Sequence, residues 1–572
     1  YIVTPYDVDE SVFKTTADVA SLYVPAGKKS AYQARTGWKT FKTISEMSNS
    51  GSVTYSNGTM TVTVTTAGTL QSTIANSSYA SVSPTKLVVN GPLNGADLKV
   101  LRDMTTTGTV TTLDIGNTTI VGGDPTQYYS TYTASENNVL PEYLFYASNL
   151  QYITLPKTIT EIDYYCFGNS TSLKELSIPA SVTRIAGSFV NNCTSLTIFY
   201  VEGGNTFMAY NGVLYSKDGL TLVRYPEGMS ATSFTVRSAV TTIGEYGFYN
   251  VKLTSVTLPA QLKKIGGCAF SNTRMTSISL PTTLTTIDYD AFSYSALTTL
   301  TIPASVTSVS ESSFSAMRAL TQFTVASGNT ILSTDSRALF DKNKTVLKAY
   351  AQGNTTTSYT IPSTVTEIEY DAFWTNRYLK TITLPANVQK IGGWAFASCN
   401  SLEEINIPAK VTSIDSYAFY NNSQMKKVTS YIVTPYDVDE SVFHTTCDVA
   451  TLYVPAGKKS AYQARTGWNK FTNIVEEGGG SSAVTYSSGT MTVTLTTAGT
   501  LQSVIANSNY TAANAKELVI NGPINGSDVR YIRQLAGINY SNTAVTATLE
   551  TLNLANANIV AGGEYYKSPA YA

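Results

Sequence analysis

The stretch LKELSIPASVTRIAGSFVNNCTS (173–195) holds the pattern that decides the fold, because it returns along the chain with its frame intact. It recurs as LTSVTLPAQLKKIGGCAFSNTR (253–274), MTSISLPTTLTTIDYDAFSYSA (275–296) and LTTLTIPASVTSVSESSFSAMRA (297–319). Two further copies are LKTITLPANVQKIGGWAFASCNS (379–401) and LEEINIPAKVTSIDSYAFYNNSQ (402–424). The shared frame is L-x-x-I-x-I/L-P-x-x-V-x-x-I-x-x-x-A-F, with a period of 22–23 residues. The aliphatics ahead of the proline alternate at period two, which predicts a short strand with one buried face. Proline ends that strand, since it has no amide to donate and restricts the residue before it. Val, Ile and Phe then turn inward again around the rest of the coil. One coil cannot enclose these side chains, but stacked coils bury them continuously. Parallel stacking at ~4.8 Å per coil predicts that about ten coils span on the order of 50 Å. The buried set should include Ile178, Val182, Ile185, Phe189, Ile302, Leu384, Val388, Ile391 and Phe396.

Two coils carry insertions at matching points. NGVLYSKDGLTLVRYPEG (211–228) and SRALFDKNKTVLKAYAQG (336–353) both read strand–turn–strand, as β-hairpins standing out from the solenoid. An open solenoid end exposes its core and a strand edge, so covers are expected. TMTVTVTT (59–66) and LVVNG (87–91) read as opening strands, followed by a helix from Ala96 to Met104. SLYVP (21–25) and TLYVP (451–455) read as closing strands, each followed by a covering helix in KKSAYQARTGW.

A longer repeat lies over the short one. Residues 1–46 recur at 431–476 with 38 of 46 positions identical, and 53–77 recur at 484–508. LVVNGPLNGADL (87–98) returns as LVINGPINGSDV (518–529). The Gly/Ser-rich stretches 47–52 and 477–483 have linker composition and separate the copies. Residues 1–46 are therefore expected to be the C-terminal cap of a preceding block, and 484–572 the N-terminal part of a following one. A complete block should occupy 53–476: an N-terminal cap and first coils at 53–149, regular coils at 150–430, and a C-terminal cap at 431–476. The hairpin insertions fall near 204–236 and 328–361.

The coil frame, together with LYVPAGKKSAYQARTGW ahead of F-x-x-I, resembles the BspA-like leucine-rich repeats of surface proteins from gut and oral bacteria. The resemblance covers nearly the whole chain. It implies a leucine-rich-repeat solenoid, mainly β with short helices: an arc with a parallel strand ladder, hairpin insertions and α/β end caps. It also implies an extracellular or cell-surface setting and adhesion to host or bacterial surfaces.

Composition narrows the function further. Of 572 residues, 42% are apolar and only 13% charged, about half the ordinary share of roughly 25%. Thr, Ser, Asn, Gly and 39 Tyr supply the polarity instead. With 38 basic and 39 acidic residues spread without long runs, no basic stripe suits a nucleic-acid backbone. No apolar run approaches the ~18 residues of a membrane-spanning helix. The five cysteines show no CxxC and an odd count, which reads as packed free thiols.

No chemistry stands out. The one histidine, His444, has Lys14 as its counterpart in the first copy, and Cys447 has Ala17, so neither anchors a catalytic reading. Asp7, Asp9 and Glu10, matched by Asp437, Asp439 and Glu440, lack EF-hand spacing and read as a solvated turn rather than a calcium site. The pairs Gly122-Gly123, Gly266-Gly267 and Gly392-Gly393 lack phosphate-loop spacing and read as coil bends. No catalytic residue, metal or cofactor is expected. The informative residues are aromatics just ahead of the coil phenylalanine: Tyr164, Tyr165, Tyr246, Tyr289, Tyr370, Trp394 and Tyr417. Stacking should align them as an outward ribbon, either stiffening the coils or contacting a sugar or protein. Tyr164, Tyr289, Tyr370, Trp394 and Tyr417 are the candidate ligand contacts. The exposed side of the strand ladder, at Tyr152, Thr154, Ser255 and Thr257 among others, is the second candidate face. The expected role is a non-enzymatic adhesin-like binding solenoid with tandem blocks. Its partner would be a protein or glycan on host or bacterial surfaces. The alternative is a filament subunit contacting other copies of itself.

Overall fold

The computed structural model describes residues 5–14, 21–24, 28–46, 51–122, 125–127, 132–134, 136–477, 483–508, 510, 515–537 and 549–560. The chain is a parallel β-solenoid with a few short helices, and it divides into two compact units. The first comprises 1–297 and 301–314, the second 298–300 and 315–572.

Most coils contribute two short strands, one on either side of the proline, while the coil 275–296 keeps only the second, Thr286–Ile287. In the first unit Tyr152–Thr154 pairs in parallel with Thr112–Ile120, and Glu175–Ile178 with Ile198–Val201. Past the proline, Thr242–Ile243, Lys264–Ile265, Thr286–Ile287 and Ser308–Val309 form a second parallel ladder. The second unit repeats the plan. Ser358–Thr360, Thr381–Thr383, Glu404–Ile407, Lys427–Ser430, Thr451–Val454 and Asn473–Glu476 make one ladder. Glu367–Ile368, Lys390–Ile391 and Ser413–Ile414 make the other.

Burial follows the sequence pattern. Ile178, Val182, Phe189, Ile302, Leu384, Val388, Ile391 and Phe396 are all buried. Ile185 is only partly buried, although it packs on the same core. Its strand Arg184–Ile185 ends a three-stranded ladder at the point where the first insertion begins, so one flank has no regular coil against it. All five cysteines are buried free thiols.

The insertions do not stand out from the solenoid. Val213–Ser216 is the middle strand of an antiparallel set with Phe207–Tyr210 and Thr221–Arg224, and Val213, Leu214 and Tyr215 are all buried. Thr221–Arg224 then pairs in parallel with Thr242–Ile243, so the hairpin replaces a coil's strand in the ladder. The second insertion does the same through Val346–Tyr350 and Glu367–Ile368. The turns fall at Lys217–Leu220 and Lys342–Thr345, as the Lys-Asp-Gly and Lys-Asn-Lys sequences predict. Each insertion ends on a glycine seated against the backbone of an earlier coil. A Cβ on Gly228 would lie 2.5 Å from Ser195, and one on Gly353 2.6 Å from Ala319. The apolar strands Val213–Ser216 and Ala338–Asp341 explain the docking: both would expose buried-type side chains if they projected into water.

The opening and closing elements appear twice. Gly95–Thr106 and Gly526–Leu535 are helices with capping boxes built from Asn94/Asp97 and Asn525/Asp528. Asp97 is buried because its carboxylate also accepts the amides of Gly68 and Leu70, tying an earlier loop to the helix start. Asp528 does the same with Gly499 and Leu501. Lys29–Gln33 and Lys459–Gln463 are the covering helices, and Tyr462 closes its copy by donating to the Ile432 carbonyl.

Candidate recognition surface

The coil phenylalanines form stacked columns. Phe248, Phe270, Phe292 and Phe314 follow one another at centroid separations of 5.2, 5.5 and 6.1 Å. In the second unit Phe373, Phe396, Phe419 and Phe443 do so at 5.1, 5.3 and 5.3 Å. Around each column runs a third ladder of backbone hydrogen bonds, at alternate residues. The phenylalanine amide donates to the next coil, as Phe396 does to the Ala418 carbonyl. Residues two before and two after it do likewise: Trp394 donates to Ser416 and Ser398 to Tyr420.

Aiming those flanking amides at the next coil requires a left-handed backbone. Two residues after the phenylalanine, φ is positive at Asn169, Asn250, Asn272 and Asn421, the residue type that tolerates this region best. Side-chain amides of Asn192, Asn250 and Asn272 also bond from coil to coil. Two residues before the phenylalanine the same region holds Cys268, Asp290, Ser312 or Asp371 in four coils, but a bulky ring in five: Tyr143, Tyr165, Tyr246, Trp394 and Tyr417, at φ of 50 to 62°. A non-glycine residue there costs about 1–2 kcal/mol. Where Asn or Gly would be cheaper, a large aromatic signals another demand on the position.

The predicted aromatics fall into two columns rather than one ribbon. Tyr164, Tyr289 and Tyr370 lie three residues before their phenylalanine and are exposed. Trp394 and Tyr417 lie two before, in the left-handed position, with Trp394 half-buried and Tyr417 exposed. Tyr165 and Tyr246 share that position and are half-buried. Tyr289 lies flat over Gly267, and its hydroxyl donates to Glu245. Burial and this carboxylate push the Tyr289 phenol well above its usual range. Tyr370 lies over Gly393 in the same way.

Gly266-Gly267 and Gly392-Gly393 do sit at bends of the coil, where the Ala269 and Ala395 amides donate to the Gly266 and Gly392 carbonyls in turns that need no positive φ. Gly266 and Gly392 make room for the neighbouring backbone, and Gly267 and Gly393 for a tyrosine face. Gly123 lies outside the described residues.

Sequence reading missed the partners of these rings. Tyr146, Tyr249 and Tyr420, one residue after their phenylalanines, meet Tyr143, Tyr246 and Tyr417 edge to face at 5.3, 5.3 and 5.6 Å. The signal was present as Y-x-F-Y at 143–146, 246–249 and 417–420. The largest assembly is in the second unit. Trp394 stacks on Tyr417 at 4.5 Å and 21°, with Tyr420 edge-on at 5.5 Å and Trp374 edge-on at 6.0 Å. Tyr420 stacks in turn on His444 at 5.7 Å. Ala397, fully buried, is the small residue where a Y-x-F-Y coil would carry a second ring.

The two acidic clusters are paired within their own segments. Asp9 and Asp439 cap their own turns through Ser11 and Ser441. Asp7 and Asp437 accept from Thr36 and Thr466, and Glu10 and Glu440 pair with Lys39 and Lys470. Among the described residues no group of three His, Cys, Asp or Glu side chains converges as a metal site. His444 is exposed and Cys447 buried. Burial also raises the Cys447 thiol, which leaves it a poor nucleophile. The second candidate face keeps its predicted pattern, with Ser255 and Thr257 exposed either side of buried Val256. No described helix is long and apolar enough to cross a membrane.

The model of the BspA-type leucine-rich repeat region matches in six copies, spanning residues 137–464. No curated relative matches. A leucine-rich repeat protein of Eubacterium ventriosum is similar at 21% identity and a TM-score of 0.38, covering 64% of this chain and 91% of that one. A leucine-rich cell surface protein of Faecalibacterium prausnitzii is similar at 18% identity and a TM-score of 0.37, covering 74% and 97%. The pneumococcal vaccine antigen PcpA is similar at 16% identity and a TM-score of 0.33, covering 74% and 96%.

Proposed function

The chain belongs to the BspA-type leucine-rich-repeat family, and from that premise we propose that it is a non-enzymatic binding solenoid at a bacterial cell surface, adhesin-like in its role. The observation that carries this reading is the placement of large aromatic rings at strained left-handed positions, partly open to solvent. A scaffold needing only a turn there has cheaper residues available. Rigid rings with polar tips supply contact area at small entropic cost, which suits recognition. The duplication supports blocks bounded as 53–476, with 1–46 and 484–572 belonging to neighbours in a tandem array. Repeated blocks would add avidity without new contacts. The partners are proteins or glycans of host or bacterial surfaces.

The test is adhesion of the purified chain to epithelial cells, bacterial cells and immobilised matrix proteins. Saturable retention on one of these supports the reading, and uniform failure on all of them overturns it.

A filament subunit is the second reading, favoured by one observation. Strand Thr551–Ile559 leaves Leu552 exposed, whereas its counterpart Leu113 is buried and pairs with Ile153 of the next coil strand.

A further inference from the structure

We infer that the cluster of Trp374, Trp394, Tyr417, Tyr420 and His444 is a binding platform for a neutral glycan, an inference that rests on the binding-solenoid reading and names its ligand class. Three observations carry it. First, the rings form a continuous row over adjacent coils, with successive contacts of 6.0, 4.5, 5.6 and 5.7 Å. The coil spacing of ~4.8 Å is close to the length of one pyranose unit, so an extended saccharide can keep register with the row. Second, neutral hydroxyls and amides lie beside the rings. Asn421 donates to Ser398, and Thr375 donates to Gln352. The nearby charges are already engaged: Arg318 donates to Thr375, Glu440 pairs with Lys470, and buried Asp371 accepts from Ser315. A sugar uses the amides and hydroxyls for its own hydroxyls, and the exposed ring surface of Tyr417 and His444 for its C–H groups. Third, Trp394 and Tyr417 occupy left-handed positions at φ 57 and 62°, where an Asn, such as Asn421 two residues after Phe419, would be less strained. If the rings served packing alone, replacing them with Asn would weaken the fold. If they serve a ligand, Asn should leave the fold intact and remove binding.

The whole chain is tested against cellohexaose, laminarihexaose, chitohexaose and mannohexaose by calorimetry, with Trp fluorescence as a second readout. We expect at least one to bind, W394N and W374A each to weaken it tenfold or more, and the melting temperature of W394N to equal or exceed the parent's. Binding that survives both substitutions, or a W394N melting temperature well below the parent's, overturns the platform. So does failure of all four sugars, or binding confined to sulfated or sialylated controls. If the sugars fail while the chain still adheres to cells or matrix proteins, only the ligand class is wrong. If adhesion fails too, the binding-solenoid reading falls with it.

Discussion

Arg224 and Glu227 form an ion pair at 2.6 Å with both side chains buried. Glu227 also accepts from the Asn192 amide and the Asn250 side chain, and Arg224 donates to the Tyr246 carbonyl. The matching positions of the second insertion are Ala349 and Gln352, where Thr375 donates to the Gln352 amide. The same architecture is thus built once with a buried charge pair and once without. Breaking a buried pair strands a charge and costs about 3–5 kcal/mol, while replacing both partners is often neutral. We expect Glu227→Ala to show that loss in denaturant melts, and the double change R224A/E227Q to sit near the parent. Burial holds the Glu227 carboxyl above its ordinary value of 4.5 despite Arg224. The folded state therefore prefers the proton, and this group's contribution to stability declines as pH rises from the ordinary value through the raised one. The double variant should lack that decline. A parent and double variant with parallel stability–pH curves would refute the assignment.

At the scale of the coil, the strands, the buried columns and the covering helices were legible because they follow periodicity and proline placement. Ile391 and Phe396 needed no more than their place in the frame. The third hydrogen-bond ladder was not legible, since Tyr165 or Trp394 at a left-handed position contradicts what residue propensity suggests. The docking of the insertions was hidden too: a hairpin's own sequence gives its turn, not the surface that buries its middle strand. Gly267 and Gly393 read as bends, which they are, but their contact with a tyrosine was hidden because that ring comes from another coil. That contact makes a testable pair. A Cβ on Gly267 would sit 2.4 Å from the Tyr289 ring, so Gly267→Ala should destabilise, by roughly 1–3 kcal/mol as overpacking does. Adding Tyr289→Ala should recover part of the loss, and additive losses in the double variant would contradict the stacking. In the phenylalanine column, Phe396→Ala removes a ring contacting both neighbours at 5.1 and 5.3 Å. It should cost about 3–5 kcal/mol, read from the urea midpoint.

At the scale of the molecule, duplication offers two outcomes, separable by how the chain associates. The two closing segments are nearly identical, yet Val442, Leu452 and Trp468 are fully buried, whereas Val12 is 58% exposed and Leu22 and Trp38 are half-buried. The difference lies in what each packs against. Thr451–Val454 pairs with Lys427–Ser430 on one side and Asn473–Glu476 on the other, while Ser21–Val24 pairs with Thr43–Glu46 alone among the described residues. A half-covered parallel edge is a template for another strand. The edge at Thr551–Ile559 has the same polarity within its ladder. Joining the two between copies would be a heterologous contact, which extends into a filament unless rotation closes it. In a tandem array of independent adhesive blocks, neighbouring blocks cover these edges and copies stay apart. Sedimentation of the purified chain across a hundredfold range of concentration distinguishes them. The adhesin reading predicts one species throughout, and adhesion that strengthens with the number of linked blocks. The filament reading predicts a species that grows with concentration and collapses to one size when Leu552→Lys is introduced. Growth unaffected by that charge would leave the edge pairing without support.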